Sequence, residues 1–282
     1  MMLQDERPLL WLDRTADNMD YAIIGPVDGR TRVLNAARHP YSAVCQVERD
    51  FGDGRFSGCS GFLIAPRIVI TAGHCLYSAL RKRLGRRASP ARIRIVAGRN
   101  AGGSPASVHW AQRWYAPSRF VRAMDREADY GIIVLAQPVR PPVRAFRLLA
   151  PDTAKLERIR AARLLHIAGY PGDKPAGTMW EHAERLDRFT TRSLFYSVDT
   201  CPGHSGSPVW CASQRGGEPT VIAVHVAGPT PHAGGAWGCR PGVPMAPAGM
   251  FNRGIRLTPA MLQQFRNAER GAADRSLVRF GR

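Results

Sequence analysis

Short apolar runs rich in β-branched residues recur along the chain from Tyr41 onwards, separated by Gly, Pro and Asn. Runs of this length between turn-forming residues are typical of strands in antiparallel sheets. The pattern predicts strands at 43–47, 61–64, 68–71, 93–96, 108–114 and 131–135, and then at 164–168, 193–198, 208–211 and 221–226. No long run with helical periodicity separates them, which argues against alternating strands and helices. The sequence therefore predicts an all-β protein.

Prolines and a single helical segment organise these strands into units. Pro138, Pro141, Pro142 and Pro151 form a proline-dense linker. Near the end of the chain, Thr258 is a good helix cap, Pro259 suits a first turn, and the apolar residues that follow share one face. We expect this helix to pack on the rest of the protein and the tail after Arg270 to be frayed. The predicted organisation is an N-terminal extension or propeptide over 1–22, a first barrel over 23–140, a linker over 141–152, a second barrel over 153–256, and a C-terminal helix and tail over 257–282.

The composition adds a strong positive charge. Among 282 residues, 40 Lys and Arg oppose 22 Asp and Glu, which gives a formal charge of +18 and a pI near 10.8. Such a charge attracts polyanions, acidic proteins and anionic surfaces. The densest basic run, 81–87, is interpreted as a solvated loop, because no aromatic-rich RNA-binding strand or zinc finger accompanies it. We therefore expect acidic protein or peptide partners and no specific nucleic acid.

The apolar runs, the N-terminus and the cysteines indicate in which compartment the protein works. No apolar run approaches the roughly 20 residues of a membrane helix, so no membrane span is expected. The first residues lack a basic segment followed by an apolar one, so either the export signal is missing from this sequence or the usual route is not used. The cysteine count is even and contains no Cys-x-x-Cys pair, which favours disulfides in a secreted or periplasmic protein. The six positions are Cys45, Cys59, Cys75, Cys201, Cys211 and Cys239.

A serine framed by glycines is the strongest chemical signal. Ser205 lies in the stretch DTCPGHSGSP at 199–208, just before an apolar run. A nucleophilic serine needs a turn that lifts its hydroxyl clear of the backbone, with N–H groups converging on the developing oxyanion. Gly203 can adopt a backbone conformation closed to other residues. The N–H groups of Gly203 and Ser205 are therefore the predicted oxyanion hole.

Two further catalytic residue types lie at the edges of predicted strands. His74 follows the run at 68–71, and Asp129 precedes the run at 131–135. Asp125 and Glu127 are alternatives to Asp129, but only Asp129 adjoins a strand. The chain order His, Asp, Ser is that of the chymotrypsin-type β-barrel proteases, whereas Ser207 replaces the glycine that an α/β-hydrolase elbow requires.

With these motifs, the chain resembles the glutamyl endopeptidases, a bacterial Glu-specific branch of the chymotrypsin-like serine proteases. The resemblance covers residues 25–265. Its motifs include RTRV at 30–33, TAGHC at 71–75, AGRN at 97–100, DYG at 129–131, GYPGDK at 169–174, AGT at 176–178, Trp180, DT at 199–200, GHSGSP at 203–208, AVH at 223–225 and NRG at 252–254. It implies two antiparallel six-stranded β-barrels with a C-terminal helix, and a monomeric enzyme without metal or organic cofactor.

The resemblance also implies residue roles. Ser205 is then the nucleophile, His74 the general base and Asp129 the residue that orients His74. Thr200 and His225 correspond to the threonine and histidine that bind a glutamate carboxylate, aided by the α-amino group released by maturation, here expected near residues 21–24. His204 is a departure from the family pattern, and its place in a tight turn beside the serine should point it away from the hydroxyl.

The cysteines fit this arrangement in three pairs. A Cys59–Cys75 bridge would hold the loop that presents His74, and a Cys201–Cys239 bridge would brace the walls of the specificity pocket. Cys45–Cys211 follows only by elimination.

Two other functions remain open at this point. One is a chymotrypsin-like protease of another specificity. The other is an inactive homologue that binds acidic partners or glycans, because a fold alone does not establish an activity. The complete set of catalytic residue types favours an enzyme, and the resemblance implies that it cleaves after Glu and, more slowly, after Asp.

Overall fold

The structure is a computed structural model, which describes residues 22–101, 107–212, 217–228 and 235–281. Apart from Ala22, the predicted N-terminal extension lies outside the described residues.

Within these residues the chain is mainly β-structure. The strands, in chain order, are β1 Thr31–Arg32, β2 Val44–Asp50, β3 Phe56–Ala65, β4 Ile68–Thr71, β5 Arg92–Ala97, β6 Ser107–Pro117, β7 Gly131–Leu135, β8 Arg147–Leu148, β9 Leu164–Gly169, β10 Trp180–Phe189, β11 Ser193–Tyr196, β12 Pro208–Cys211, β13 Thr220–Ala227, β14 Asn252–Arg256 and β15 Leu277–Gly281. The α-helices are α1 Ala79–Arg83, α2 Ser118–Ala123, α3 Thr153–Ala162 and α4 Pro259–Arg270, and short 3-10 turns lie at Tyr41–Ala43, Gly73–Cys75 and Arg126–Ala128.

The strands close into two antiparallel barrels of six strands each. In the first barrel the order is β2-β3-β4-β7-β6-β5, closed by the pairing of β5 with β2. In the second it is β9-β10-β11-β14-β13-β12, closed by the pairing of β12 with β9. Closure leaves few unpaired strand edges, and inward side chains fill each interior. The predicted fold class, two six-stranded chymotrypsin-like barrels with a C-terminal helix, is confirmed.

Aromatic residues join the barrels where their cores meet. The ring of Phe146, in the segment between the barrels, packs edge-on against Phe62 of β3 and lies 5.7 Å from the ring of Trp210 on β12. All three side chains are buried in one continuous apolar cluster. This contact fixes the relative position of the loops that leave the two barrels.

The helix predicted near the end of the chain is present as α4. The Thr258 hydroxyl accepts the N–H of Met261, and Pro259 is the first helical residue. Met261 and Phe265 are buried, and Phe265 packs edge-on against Tyr130. The helix thus lies against the first barrel near Asp129.

The frayed tail expected after Arg270 is wrong. Leu277–Gly281 forms β15, which pairs antiparallel with β6 from Pro117 to Arg113. Phe280 stacks on Tyr77, with ring centroids 6.0 Å apart. The tail was missed because a five-residue strand of mixed polarity is stabilised by a distant partner, which local pattern does not reveal.

Two of the three cysteine pairings are present. Cys59–Cys75 and Cys201–Cys239 are disulfides. Cys45 and Cys211 are free thiols, so the pairing inferred by elimination is wrong. Cys45 belongs to the apolar cluster around the first barrel, whereas Cys211 belongs to that of the second. Because each lies in a different barrel core, neither side chain reaches the other.

Candidate active site

His74 lies in a short 3-10 turn directly after β4. The turn, Gly73–Cys75, is fixed by the Cys59–Cys75 bridge to β3 and by a bond from the Leu76 N–H to the Gly73 carbonyl. The His74 side chain is buried, with 6% of it exposed. The fold therefore presents this imidazole with little rotational freedom.

Asp129 holds His74 through both carboxylate oxygens. Its Oδ2 lies 2.8 Å from Nδ1 of His74, and its Oδ1 accepts the backbone N–H of His74 at 2.9 Å. Asp129 is fully buried. Because an ionised carboxylate only accepts hydrogen bonds, Nδ1 must carry the proton, and Nε2 of the neutral ring is then a base.

The two alternative carboxylates are engaged elsewhere. Asp125 caps the 3-10 turn by accepting the N–H of Glu127, and it pairs with Arg119. Glu127 lies 3.7 Å from Arg192 on the protein surface. Of the three predicted candidates, the structure brings Asp129 to His74.

Glycines on both sides of Ser205 shape the turn that contains it. Gly203 and Gly206 have φ values of +105° and +88°, which favour glycine. A Cβ on Gly203 would collide with the carbonyl of Tyr170, and one on Gly206 with that of Ser60. The sequence prediction that Gly203 needs glycine's freedom matches this geometry.

The predicted oxyanion N–H groups have fixed directions. Within one peptide unit the carbonyl and the N–H point in opposite directions. The carbonyl of Pro202, which shares a peptide with the Gly203 N–H, accepts the N–H of Gly172 at 2.8 Å. The carbonyl of His204, which shares a peptide with the Ser205 N–H, accepts the N–H of Ser207 at 2.9 Å. Both N–H groups are therefore preorganised.

Ser60 of the first barrel ties this turn to the His74 side, a role that sequence reasoning missed. Its N–H donates to the Ser205 carbonyl at 2.9 Å, and its hydroxyl donates to the Gly203 carbonyl at 2.7 Å. The same carbonyl of Ser205 lies 3.7 Å from the sulfur of Cys75, next to His74 in sequence. The structure thus brings Ser205 and the His74 turn together.

The His204 ring is hydrogen-bonded within its own turn. Its Nδ1 accepts the N–H of Cys201 at 3.1 Å, and its ring is buried. Burial, together with the nearby positive charge of Arg30, lowers the pKa of His204 to about 3. The neutral ring therefore holds the backbone at Cys201 in place.

Thr200 and His225 are both buried, Thr200 in the loop after β11 and His225 on β13 of the second barrel. Thr200 is fully buried, and its hydroxyl has no hydrogen-bond partner among the described residues. His225 of β13 is buried, and its Nδ1 lies 2.9 Å from the hydroxyl of Tyr196 on β11. Tyr196 is a second residue that sequence reasoning missed, because only the pairing of distant strands brings it to His225.

The N-terminal segment runs into the same region. The carbonyl of Ile23 accepts the Thr200 N–H at 3.0 Å and the side-chain amide of Asn252 at 3.3 Å. Both carboxylate oxygens of Asp199 are occupied by backbone N–H groups, from Gly25 at 2.7 Å and Gly29 at 2.8 Å. Residues 22–29 are therefore fastened to the wall that carries Thr200.

Metal ligands and membrane helices are not evident in the described part of the chain. No group of three or more His, Cys, Asp or Glu side chains is arranged there to hold a metal ion. None of the described helices combines the length and apolar character needed to cross a bilayer.

Comparison with known proteins defines the class. The family model described as Trypsin matches residues 29–245, most of the chain. The chain is therefore a trypsin-like serine endopeptidase, a hydrolase that acts on protein substrates.

Individual relatives narrow the class. The chain is 31% identical over 254 residues to a glutamyl endopeptidase of Bacillus licheniformis, covering 89% of this chain and 70% of that protein. It is 30% identical over 208 residues to a Bacillus subtilis protein named extracellular metalloprotease, covering 73% of this chain and 63% of that one. A solved structure of a Glu endopeptidase in complex with MPD superposes with a TM-score of 0.66 at 25% identity, covering 88% of this chain and all of that one. This chain belongs to the glutamyl endopeptidase family.

Proposed function

We propose that this protein cleaves polypeptides after glutamate, and more slowly after aspartate, through an acyl-enzyme on Ser205. The observation that carries the proposal is the pairing of His74 with a buried Asp129 beside a rigid glycine-framed serine turn. The resemblance to glutamyl endopeptidases supports the specificity.

The order of the catalytic steps follows from which nitrogen of His74 carries the proton. With Nδ1–H donated to Asp129, Nε2 of His74 takes the proton of the Ser205 hydroxyl as its oxygen attacks the carbonyl carbon. The N–H groups of Gly203 and Ser205 stabilise the oxyanion that forms. His74 then gives its proton to the leaving amine, and a water molecule, activated in the same way, hydrolyses the ester.

The pocket chemistry supports an acidic side chain before the cleaved bond. A buried hydroxyl on Thr200 that lacks a partner among the described residues is a donor available to a ligand. On His225, a hydrogen bond donated by Tyr196 to Nδ1 would leave the proton on Nε2, so the neutral ring also becomes a donor. Two donors suit a carboxylate. The acid of a trypsin pocket stands six residues before the serine, which is Asp199 here, and both carboxylate oxygens of Asp199 already accept backbone N–H groups of Gly25 and Gly29.

Maturation belongs to the same proposal. Thr200 hydrogen-bonds the carbonyl of Ile23, and Asp199 fastens Gly25 and Gly29. A chain cut just before this segment would place a new α-amino group close to the pocket, where it would balance the charge of a bound glutamate. The two disulfides favour an oxidising compartment, which fits a secreted or periplasmic protein. The proposal further includes a monomeric enzyme that acts on acidic proteins.

Cleavage profiling tests the specificity. The purified mature enzyme, with its N-terminus sequenced, is incubated with a mixed peptide library, and the products are identified by mass spectrometry. We expect cuts after Glu to dominate those after Asp. Cuts after Arg, Phe or Leu at rates equal to Glu would refute the specificity and leave a chymotrypsin-like serine protease of another specificity.

Covalent labelling tests the rival function of an inactive binding protein. An organophosphonate probe should label wild-type protein at Ser205 and should not label the Ser205→Ala variant. Absence of label in the mature wild-type protein would favour the binding function.

A further inference from the structure

The positive charge of this protein is concentrated in one part of the first barrel. Residues 54–124 contain no Asp or Glu. They contain thirteen basic residues: Arg55, Arg67, Arg81, Lys82, Arg83, Arg86, Arg87, Arg92, Arg94, Arg99, Arg113, Arg119 and Arg122. This segment therefore carries a formal +13 of the protein's +18.

The densest charges lie on one closed loop, residues 78–88, which we name the basic loop. Its ends are joined by a bond of 2.8 Å from the Ser78 N–H to the Ala88 carbonyl, and Ser78 caps the short helix α1. The side chains of Lys82, Arg83, Arg86 and Arg87 are exposed. Among the described residues, none of these four pairs with a carboxylate, so their field is not neutralised locally.

The base of this loop is packed against the His74 turn. The guanidinium of Arg81 lies over the ring of Phe51, 4.4 Å from its centroid. Arg49 lies 5.8 Å from the same ring and donates to the carbonyls of His74 and Cys75, at 3.4 and 3.2 Å. The basic loop is therefore held beside the catalytic histidine and does not swing freely.

With the proposed pocket, the basic loop falls on the leaving-group side of the candidate site. The side chain before the cleaved bond enters the pocket of Thr200 and His225, in the second barrel. In this proposed binding mode the leaving half of the substrate lies on the other side of Ser205, toward the Cys59–Cys75 bridge whose sulfur approaches the Ser205 carbonyl. An extended peptide advances about 3.3 Å per residue. Because charges interact over about 8 Å at physiological ionic strength, the loop can act on residues several positions beyond the cleaved bond.

We propose that the basic loop is an electrostatic subsite that selects polypeptides whose sequence is acidic in the third to sixth residues after the cleaved bond. The inference rests on the proposed function and adds to it a second determinant, outside the pocket. Because the four side chains are solvated and unpaired, the attraction acts at a distance and is screened by salt. Its main effect is on the rate of productive encounter, so it raises kcat/KM more than kcat.

Two matched peptides provide the first measurement. Both carry the residue that profiling selects at the cut, and they differ only in having Asp and Glu, or Asn and Gln, at the third to sixth positions after it. In wild-type enzyme we expect kcat/KM to be about tenfold higher for the acidic peptide at about 30 mM ionic strength, and about twofold or less at about 0.5 M.

Charge-matched variants locate the effect. The loop variant replaces Lys82, Arg83, Arg86 and Arg87 by Gln, and the control replaces the exposed Arg158, Arg266, Arg270 and Arg275 by Gln. Both lose the same charge. We expect the loop variant to hydrolyse the neutral peptide like wild type and to lose the acidic preference, while the control keeps the preference. An intact preference in the loop variant, or an equal loss in the control, would overturn the proposal.

Binding separates this inference from the proposed function. The affinity of both peptides for Ser205→Ala protein, with and without the loop substitutions, is measured by fluorescence anisotropy. A loop-dependent preference in binding supports the subsite even if specificity at the cut differs from the proposal. Equal binding of the two peptides to Ser205→Ala protein refutes the subsite, whatever residue precedes the cut.

Discussion

The hydroxyl of Tyr196 lies 2.9 Å from Nδ1 of His225, and both side chains are buried between β11 and β13. We expect Tyr196→Phe to lower kcat/KM for a Glu substrate about tenfold, the effect of losing one buried hydrogen bond. Without the hydroxyl, Nδ1 of His225 would lose the partner that favours the tautomer with the proton on Nε2. The ratio of kcat/KM for Glu over Gln substrates is the readout.

Tyr170→Phe is a matched control for this variant. Tyr170 is equally buried, and its hydroxyl donates to the carbonyl of Arg99 at 3.1 Å, in the first barrel. We expect this control to keep the Glu over Gln ratio. The same loss of ratio in both variants would show that Tyr196 acts only through general stability.

The catalytic pair should behave as a unit. Ser205→Ala and His74→Ala should each reduce kcat by about 10⁴-fold or more, and the double variant should be little worse than either. Thermal melts verify that each variant is folded, and single-turnover assays measure the rate. Multiplicative losses in the double variant, or full activity of Ser205→Ala, would refute an acyl-enzyme on this serine.

Thiol titration tests which cysteines form disulfides. In denaturant without reductant, we expect two reactive thiols, from Cys45 and Cys211, and after reduction six. The Cys45→Ala/Cys211→Ala variant should show none before reduction and remain active. No thiol in denatured, unreduced wild type would mean that a third bridge exists.

Removing one bridge should cost stability. The Cys59–Cys75 bridge spans 16 residues and the Cys201–Cys239 bridge 38. By loop-closure entropy, replacing either pair with Ser should lower the free energy of unfolding by about 3–4 kcal/mol. Urea unfolding of the two double-Ser variants measures this difference, and an unchanged midpoint would contradict it.

Acid should destabilise the protein through His204. The pKa of this residue is about 3 in the folded protein, because of burial and then Arg30, against an ordinary value of 6.5. The unfolded chain therefore binds a proton that the folded protein does not bind. The contribution of neutral His204 to the free energy of unfolding is complete above pH 6.5 and is lost as the pH falls toward 3. The expected slope is about 1.4 kcal/mol per pH unit in this window.

His204→Gln removes this titration. Between pH 6 and 4.5, where most carboxylates are still ionised, urea unfolding of the variant should show a shallower pH dependence than wild type. Identical slopes would indicate that His204 is not held neutral in the folded protein.

Local pattern predicted much of the first barrel but not the polar elements of the second. The strands at 68–71 and 131–135 match β4 and β7, because apart from Thr71 these buried strands consist of apolar residues and glycine. β10 was missed because its sequence, WEHAERLDRF, is mostly charged or polar. It becomes a strand through pairing on both sides with β9 and β11, which outweighs local propensity.

For the candidate site, local geometry could be deduced from sequence where one motif contains the chemistry. Ser205 and its glycines lie within a few residues, so the turn could be deduced locally. Ser60 and Tyr196 act through contacts with residues 143 and 29 positions away, and no local signal marks them. The Cys45–Cys211 pairing failed because elimination assumes that every cysteine is bridged, whereas a buried cysteine also packs as a small apolar residue.

The pairing of β15 with β6 has a consequence for synthesis on the ribosome. The residues of β6 from Arg113 to Pro117 emerge about 160 residues before the strand that covers them. Until Leu277–Gly281 is made, that stretch of backbone offers unpaired N–H and C=O groups to any passing strand, including another nascent copy. A polypeptide shortened before Leu277 should therefore aggregate in the cell even though it contains His74, Asp129 and Ser205.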